Sequence, residues 1–107
     1  MLCALIMKIY IDSSDADKII VRLDDERIET AAREDKSQKL LPIIDELLRK
    51  QGKKIEDITE IEVNTGPGSF TGLRVGVSVA NTLGWVLGVP VNGKDMRKGE
   101  VIEIKYD

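Results

Sequence analysis

From Thr65 to Gly88 the chain reads Thr-Gly-Pro-Gly-Ser-Phe-Thr-Gly-Leu-Arg-Val-Gly-Val-Ser-Val-Ala-Asn-Thr-Leu-Gly-Trp-Val-Leu-Gly. This is a glycine-rich turn opening into a long helix, and no other stretch restricts the fold so tightly. Gly66, Pro67 and Gly68 break an apolar run, so the chain must reverse there, and Ser69 or Thr71 can cap the helix that follows. On a wheel of about 100° per residue the helix has three sectors. Val75, Val79 and Val86 share one side. Gly72, Gly76, Ala80 and Gly84 recur every fourth residue on the adjoining side, among Leu73, Leu83 and Leu87. Arg74, Ser78, Asn81, Thr82 and Trp85 fill the rest. Glycine inside a helix costs on the order of 0.5–1 kcal/mol relative to alanine, so the stripe needs a compensating gain, and close approach of another backbone supplies one. The valine side suits the protein's own sheet. The small-residue side then admits a second neighbour, a helix of this chain or of a partner; the plainer alternative is that the glycines only seat the helix on its own sheet.

A chain of 107 residues is enough for one domain that hides roughly two-thirds of its unfolded surface. The net charge of −3 leaves no basic excess to grip a phosphate backbone unaided. With one cysteine, Cys3, and no histidine, a disulfide-framed module and any imidazole-dependent base or metal site are excluded. Met1 to Met7 lacks an early basic residue and is too short for a signal peptide or a membrane span, so a cytoplasmic protein is expected, with Met7 an alternative start.

Ala4 to Asp12 reads as a strand, and Lys18 to Leu23 and Arg27 to Glu34 read as two more, joined through Asp24-Asp25-Glu26. Ser37 to Gln51 is an amphipathic helix. Leu40, Ile43, Ile44, Leu47 and Leu48 form its apolar arc, Ser37 its cap and Gly52 its end, with a kink or late start at Pro42. Ile58 to Asn64 is a strand entering the glycine turn, and Val89-Pro90-Val91 is a short edge strand. Lys94 to Gly99 is a charged turn and Val101 to Tyr106 a last edge strand. Three strands, helix, strand, helix, strand is the plan of an α/β, ribonuclease H-like lobe, expected over residues 1–93 with a mixed five-stranded sheet; residues 94–107 add the turn and edge strand.

Gly66-Pro67-Gly68-Ser69-Phe70-Thr71-Gly72-Leu73-Arg74, then Gly88-Val89-Pro90-Val91, resembles the TsaB/YeaZ-like family, dimerisation subunits of the bacterial tRNA threonylcarbamoyladenosine complex. Leu40-Leu41-Pro42-Ile43-Ile44-Asp45-Glu46-Leu47-Leu48 and Ile9-Tyr10-Ile11-Asp12-Ser13-Ser14 match in order. The likeness covers about Met7 to Asn92 and one lobe, where family members usually carry two. It implies an actin-like ATPase-type fold and a catalytically silent scaffold, without cofactor. The implied partner is a TsaD-like catalytic paralogue, or a second copy, held through the two-helix face; a TsaE-like ATPase is a further implied partner, and tRNA is reached only indirectly. The contacts expected on that face are Leu40, Ile44, Leu47, Leu48, Gly72, Leu73, Gly76, Ala80, Leu83, Gly84 and Trp85. Lys36 stands where the family often has histidine.

The glycine turn matches neither G-x-x-x-x-G-K-[ST] nor G-x-G-x-x-G, which leaves Gly66, Gly68, Ser69 and Thr71 as a weak anion-binding turn at most. Asp12, at the end of the first strand, is the residue on which the alternative function rests: a small metal-dependent ribonuclease H-like hydrolase or phosphotransferase. Against that stands its place in Asp12-Ser13-Ser14-Asp15, where aspartate is a turn former.

Overall fold

A computed structural model describes residues 7–15, 17–23, 26–32, 35–68, 70–95 and 97, the side chains of Ser37 and Phe70 aside. Strands β1 (Lys8–Asp12), β2 (Lys18–Leu23) and β3 (Glu26–Ala31) form an antiparallel meander. Helix α1 (Lys36–Lys50) and a 3-10 turn (Ile55–Asp57) lead to β4 (Glu60–Val63), which runs parallel to β1, and α2 (Phe70–Leu87) follows. The sheet order is β3-β2-β1-β4.

Register puts every core residue on one face. Ile11 lies between Val21 and Val63, and Ile9 between Leu23 and Ile61; all six are buried. Both helices cover this face, α1 over β2 and β3 and α2 over β4 and β1. The opposite face carries Lys8, Tyr10, Arg22 and Glu62, exposed or half-buried, so β1 and β4 read as an alternation of apolar-in and polar-out.

Helix α1 starts at Lys36, one residue before the expected Ser37, and Asp35 precedes it without a side-chain cap. It continues through Pro42 because both Pro42 and Gln38, whose carbonyl the proline cannot serve, are exposed to water. Gly52 ends it as expected, at φ +66, with Lys53 N–H reaching back to the Leu48 carbonyl at 2.9 Å. Strand β3 ends at Ala31 rather than Glu34, and Glu26, expected in the loop, is its first residue.

The expected fifth strand is not formed among the described residues. Val91 makes one parallel bridge to Ile61, and the chain then turns at Asn92 and Gly93, both at positive φ, with Val91 and Lys94 exchanging two backbone hydrogen bonds of 2.9 Å. That is the geometry a two-residue Asn-Gly hairpin favours. The Asn92 side chain takes a strand's place beside β4, accepting from Val63 N–H at 2.8 Å and donating to the Val63 carbonyl at 3.0 Å. Of the strand expected over Ala4 to Asp12, residues 4–6 fall outside the described residues, as does all of the strand expected over Val101 to Tyr106. No described helix is long and apolar enough to cross a membrane.

Leu47 is fully buried under α1. Leu47→Ala is expected to lower stability by about 2–5 kcal/mol, while Glu46→Ala, on the exposed side, should change it by less than about 0.5 kcal/mol. Urea denaturation of the two variants measures the contrast.

Candidate functional site at the β1–α2 joint and the outer helix face

β1 delivers Ser13 directly under α2. Its side chain is fully buried, and its hydroxyl donates to the Gly72 carbonyl at 2.6 Å and accepts the Gly76 N–H at 3.1 Å. Those are the two groups that an α-helix pairs with each other, four residues apart. A hydroxyl can sit between them only if the helix carries no side chain there. A Cβ on Gly76 would come closer than 3.0 Å to Ser13 Oγ, and one on Gly72 closer than 3.0 Å to the Ser13 carbonyl. At Gly68 a Cβ would stand 2.6 Å from Ser14 Cβ. The small residues therefore seat α2 on its own strand end, which corrects the expectation of a foreign helix there.

The N-terminus of α1 closes the same joint. Lys36 is 4% exposed and its ammonium donates to the Asp15 carbonyl and, at 3.5 Å, to that of Ser13. Sequence reasoning missed both Ser13 and Lys36. The usable signal was Ser13-Ser14 directly after an apolar strand, small polar residues able to meet a helix stripped of side chains.

Beside Ser13, Asp12 caps the turn. One carboxylate oxygen accepts the Ser14 N–H at 3.0 Å, the Ser14 hydroxyl at 2.6 Å and the Asn64 amide at 3.2 Å. Burial pushes the Asp12 carboxyl up, but these bonds from Ser14, then Asn64 and the Tyr10 hydroxyl, outweigh it and hold the group below its ordinary value. Burial, and next the charge of Asp12, push the Tyr10 phenol up. Asn64 turns its other end to the glycine turn, its carbonyl accepting the Gly66 N–H at 3.0 Å. Of the expected anion-binding turn, the Gly66 N–H is thus spent, Gly68 lies against Ser14, and Thr71 lies inside α2, past any cap. Ser69 falls outside the described residues. Among the described residues no three His, Cys, Asp or Glu side chains gather to hold a metal ion.

Most of the residues expected to touch a partner lie inside the monomer. Leu40, Ile44, Leu47, Leu48, Leu73, Ala80 and Leu83 are core side chains, and Gly72, Gly76 and Gly84 are buried. Trp85 alone of that set is open, at 61%. Gly72 and Gly76 lie against Ser13 at the end of β1, while Val75 and Val79 are half-buried and packed against the core. Val86 is 58% exposed, as is Leu41 of α1 at 48%. Leu41, Trp85 and Val86 are the large apolar side chains left in water among the described residues. The end of α2 that carries two of them is held by Arg97, whose guanidinium donates to the Trp85 and Val86 carbonyls at 2.9 and 3.0 Å, a cation placed at the negative end of the helix dipole.

A family model described as "TsaD: tRNA N6-adenosine threonylcarbamoyltransferase" matches residues 29–93, from β3 through the bridge at Val91. The chain belongs to this family. Within it the chain is TsaB/YeaZ-like. It is 36% identical over 63 residues to the tRNA threonylcarbamoyladenosine biosynthesis protein TsaB of Bacillus subtilis, covering 59% of this chain and 28% of that protein. To TsaB of Haemophilus influenzae it is 33% identical over 73 residues, 68% of this chain and 31% of that protein. The fold matches that of YeaZ from Pseudomonas aeruginosa with a TM-score of 0.70 and 24% identity, over 81% of this chain and 42% of that one. The chain spans about three-tenths of the length of the curated relatives it matches.

Two outcomes follow from the joint. Gly76→Ala is expected to cost about 1–3 kcal/mol through overpacking, and Ser13→Gly in the same chain should recover part of that, a coupling that a double-mutant cycle of urea midpoints reads directly. Because Asp12 binds its proton less readily folded than unfolded, its contribution to stability is present above the carboxylate range and is lost as pH falls through the folded value. The stability gap between wild type and Asp12→Asn should therefore be largest near neutrality and shrink below roughly pH 4; denaturation followed across pH checks it.

Proposed function

We propose that this chain is a non-catalytic subunit in threonylcarbamoylation of tRNA adenosine, holding a TsaD-like catalytic paralogue through the outward sides of α1 and α2. The observation that carries this is the exposure of Leu41, Trp85 and Val86 on the two helices that share one face of the sheet. Exposed apolar side chains of this size, one of them tryptophan, are the composition of an interface core. Membership of the TsaD family and likeness to proteins named for tRNA threonylcarbamoyladenosine biosynthesis supply the reaction. The non-catalytic role is supported by Asp12, whose carboxylate is engaged by Ser14 and Asn64 in holding a turn.

The interface in this proposal differs from the one the helical wheel suggests. Its contacts are the exposed rim, Leu41, Trp85 and Val86, with Val75 and Val79 beside them, while the glycines act only by setting how close α2 lies to the sheet. Trp85→Asp and Leu41→Asp are each expected to weaken co-elution with the TsaD-like subunit of the same cell by at least tenfold, with the urea midpoint of the isolated chain unchanged. Retention of both variants at the wild-type level would sink the assignment.

A further inference from the structure

The two flanks of the sheet end differently. Asn92 closes the flank of β4, while β3 lies at the other end of the order β3-β2-β1-β4 with no strand beyond it among the described residues. What β3 presents there follows from its pairing. Ala32 N–H reaches the Asp17 carbonyl at 2.8 Å, and bonded and non-bonded pairs alternate along an antiparallel ladder. Thr30, Ile28 and Glu26 are therefore the residues bonded to β2, and Arg27, Glu29 and Ala31 turn their N–H and C=O groups outward. Lys39 of α1 uses one of these groups, donating to the Ala31 carbonyl at 3.0 Å. Arg27 and Glu29 remain, both exposed.

Charges on an edge strand ordinarily keep other chains away, but here their alternation suits a second copy in one register. Two β3 strands brought together by a twofold axis run antiparallel. Centred on Arg27 or on Glu29, they set like charges directly opposite, which is destabilising; the second of these also needs the Ala31 carbonyl that Lys39 holds. Intermediate registers set the outward groups against residues whose own groups are spent on β2. Centred on Ile28, Arg27 of each copy faces Glu29 of the other, and each such pair exchanges both of its backbone hydrogen bonds.

The neighbouring charges favour the same register. Arg27 faces Arg22 across the ladder, and the carboxylate beside it, Glu29 at 2.5 Å, is shared with Lys18 at 3.4 Å. A second Glu29 gives Arg27 a counter-charge of its own. On the helix side Ile28 meets Ile28 and Glu26 meets Thr30, while Asp35 is paired with Lys39 at 3.3 Å. Residues 18–39 hold six acidic and six basic side chains, so no net charge drives two copies apart.

We propose that two copies of this chain associate through β3, pairing antiparallel about Ile28 into one continuous sheet with the helices of both on the same side. This does not rest on the tRNA-modification reading, and the pairing uses none of Leu41, Trp85 and Val86. An edge of six residues makes a small, weak interface, so the association is read at high chain concentration.

Sedimentation equilibrium of the full chain is expected to show the mass moving from monomer towards dimer as concentration rises. Arg27→Glu sets glutamate against glutamate and Glu29→Arg sets arginine against arginine, so each alone is expected to weaken self-association by about tenfold. An equimolar mixture of the two variants should restore it, because every mixed pair is again of opposite sign. Ile28→Cys with Cys3→Ser, oxidised by diamide, is expected to give a disulfide-linked dimer, since directly opposed non-bonded residues have Cα atoms about 4.5 Å apart, within disulfide reach. Thr30→Cys with Cys3→Ser, opposite Glu26, should crosslink several-fold more slowly. A chain that stays monomeric, single variants that associate as tightly as wild type, a mixture no tighter than either variant alone, or equal crosslinking of the two cysteines overturns the proposal. So does association lost on Trp85→Asp and kept on Arg27→Glu, which places the second copy on the helix face. No catalytic partner is present in any arm, so failure here leaves the co-elution result untouched.

Discussion

The fold hangs on one hydroxyl. Ser13 Oγ stands between the Gly72 carbonyl and the Gly76 N–H, tying the helix to the strand beneath it. The close seating of α2 follows from that insertion. So does the position of the glycine turn, since Gly68 is held against Ser14 next door, and so does the burial of Lys36, whose ammonium reaches the carbonyls of that serine and of Asp15. A polar group so enclosed is stabilising only while every partner is met, and among the described residues no buried side-chain nitrogen or oxygen lacks one.

Much of the architecture is visible in the residues. Short apolar runs between polar turns mark β1 and β2, and the apolar arc of α1 is where the wheel puts it. The order of strands and helices gives the mixed sheet, though with five strands where the described residues form four. What the wheel does not resolve is which of two apolar sides of α2 faces inward, because a periodic stripe shows where side chains are small but not what fills the room they leave. Ser13 lies 59 residues from Gly72 in sequence, and nothing local ties the two together. The same blindness affects the outer side of α1: apolar spacing picks out Leu40, Ile44 and Leu47, which the core consumes, and passes over the exposed Leu41, one position off the arc.

Asp12 shows how one residue type serves opposite readings. A carboxylate at the end of the first strand of such a sheet is where metal chemistry would be sought. Here its oxygen organises Ser14 and, through Asn64, the approach to the glycine turn. The bonds that depress its proton affinity are those that hold the loop, so the charge is structural in effect.

Asn92 sets a boundary of another kind. By meeting both backbone groups of Val63 with its amide, it finishes the flank of β4 with a side chain where most sheets would leave a template for the next strand. Growth by edge-to-edge stacking on that flank must first evict the amide and strand two polar groups. Self-association on that side is thereby discouraged.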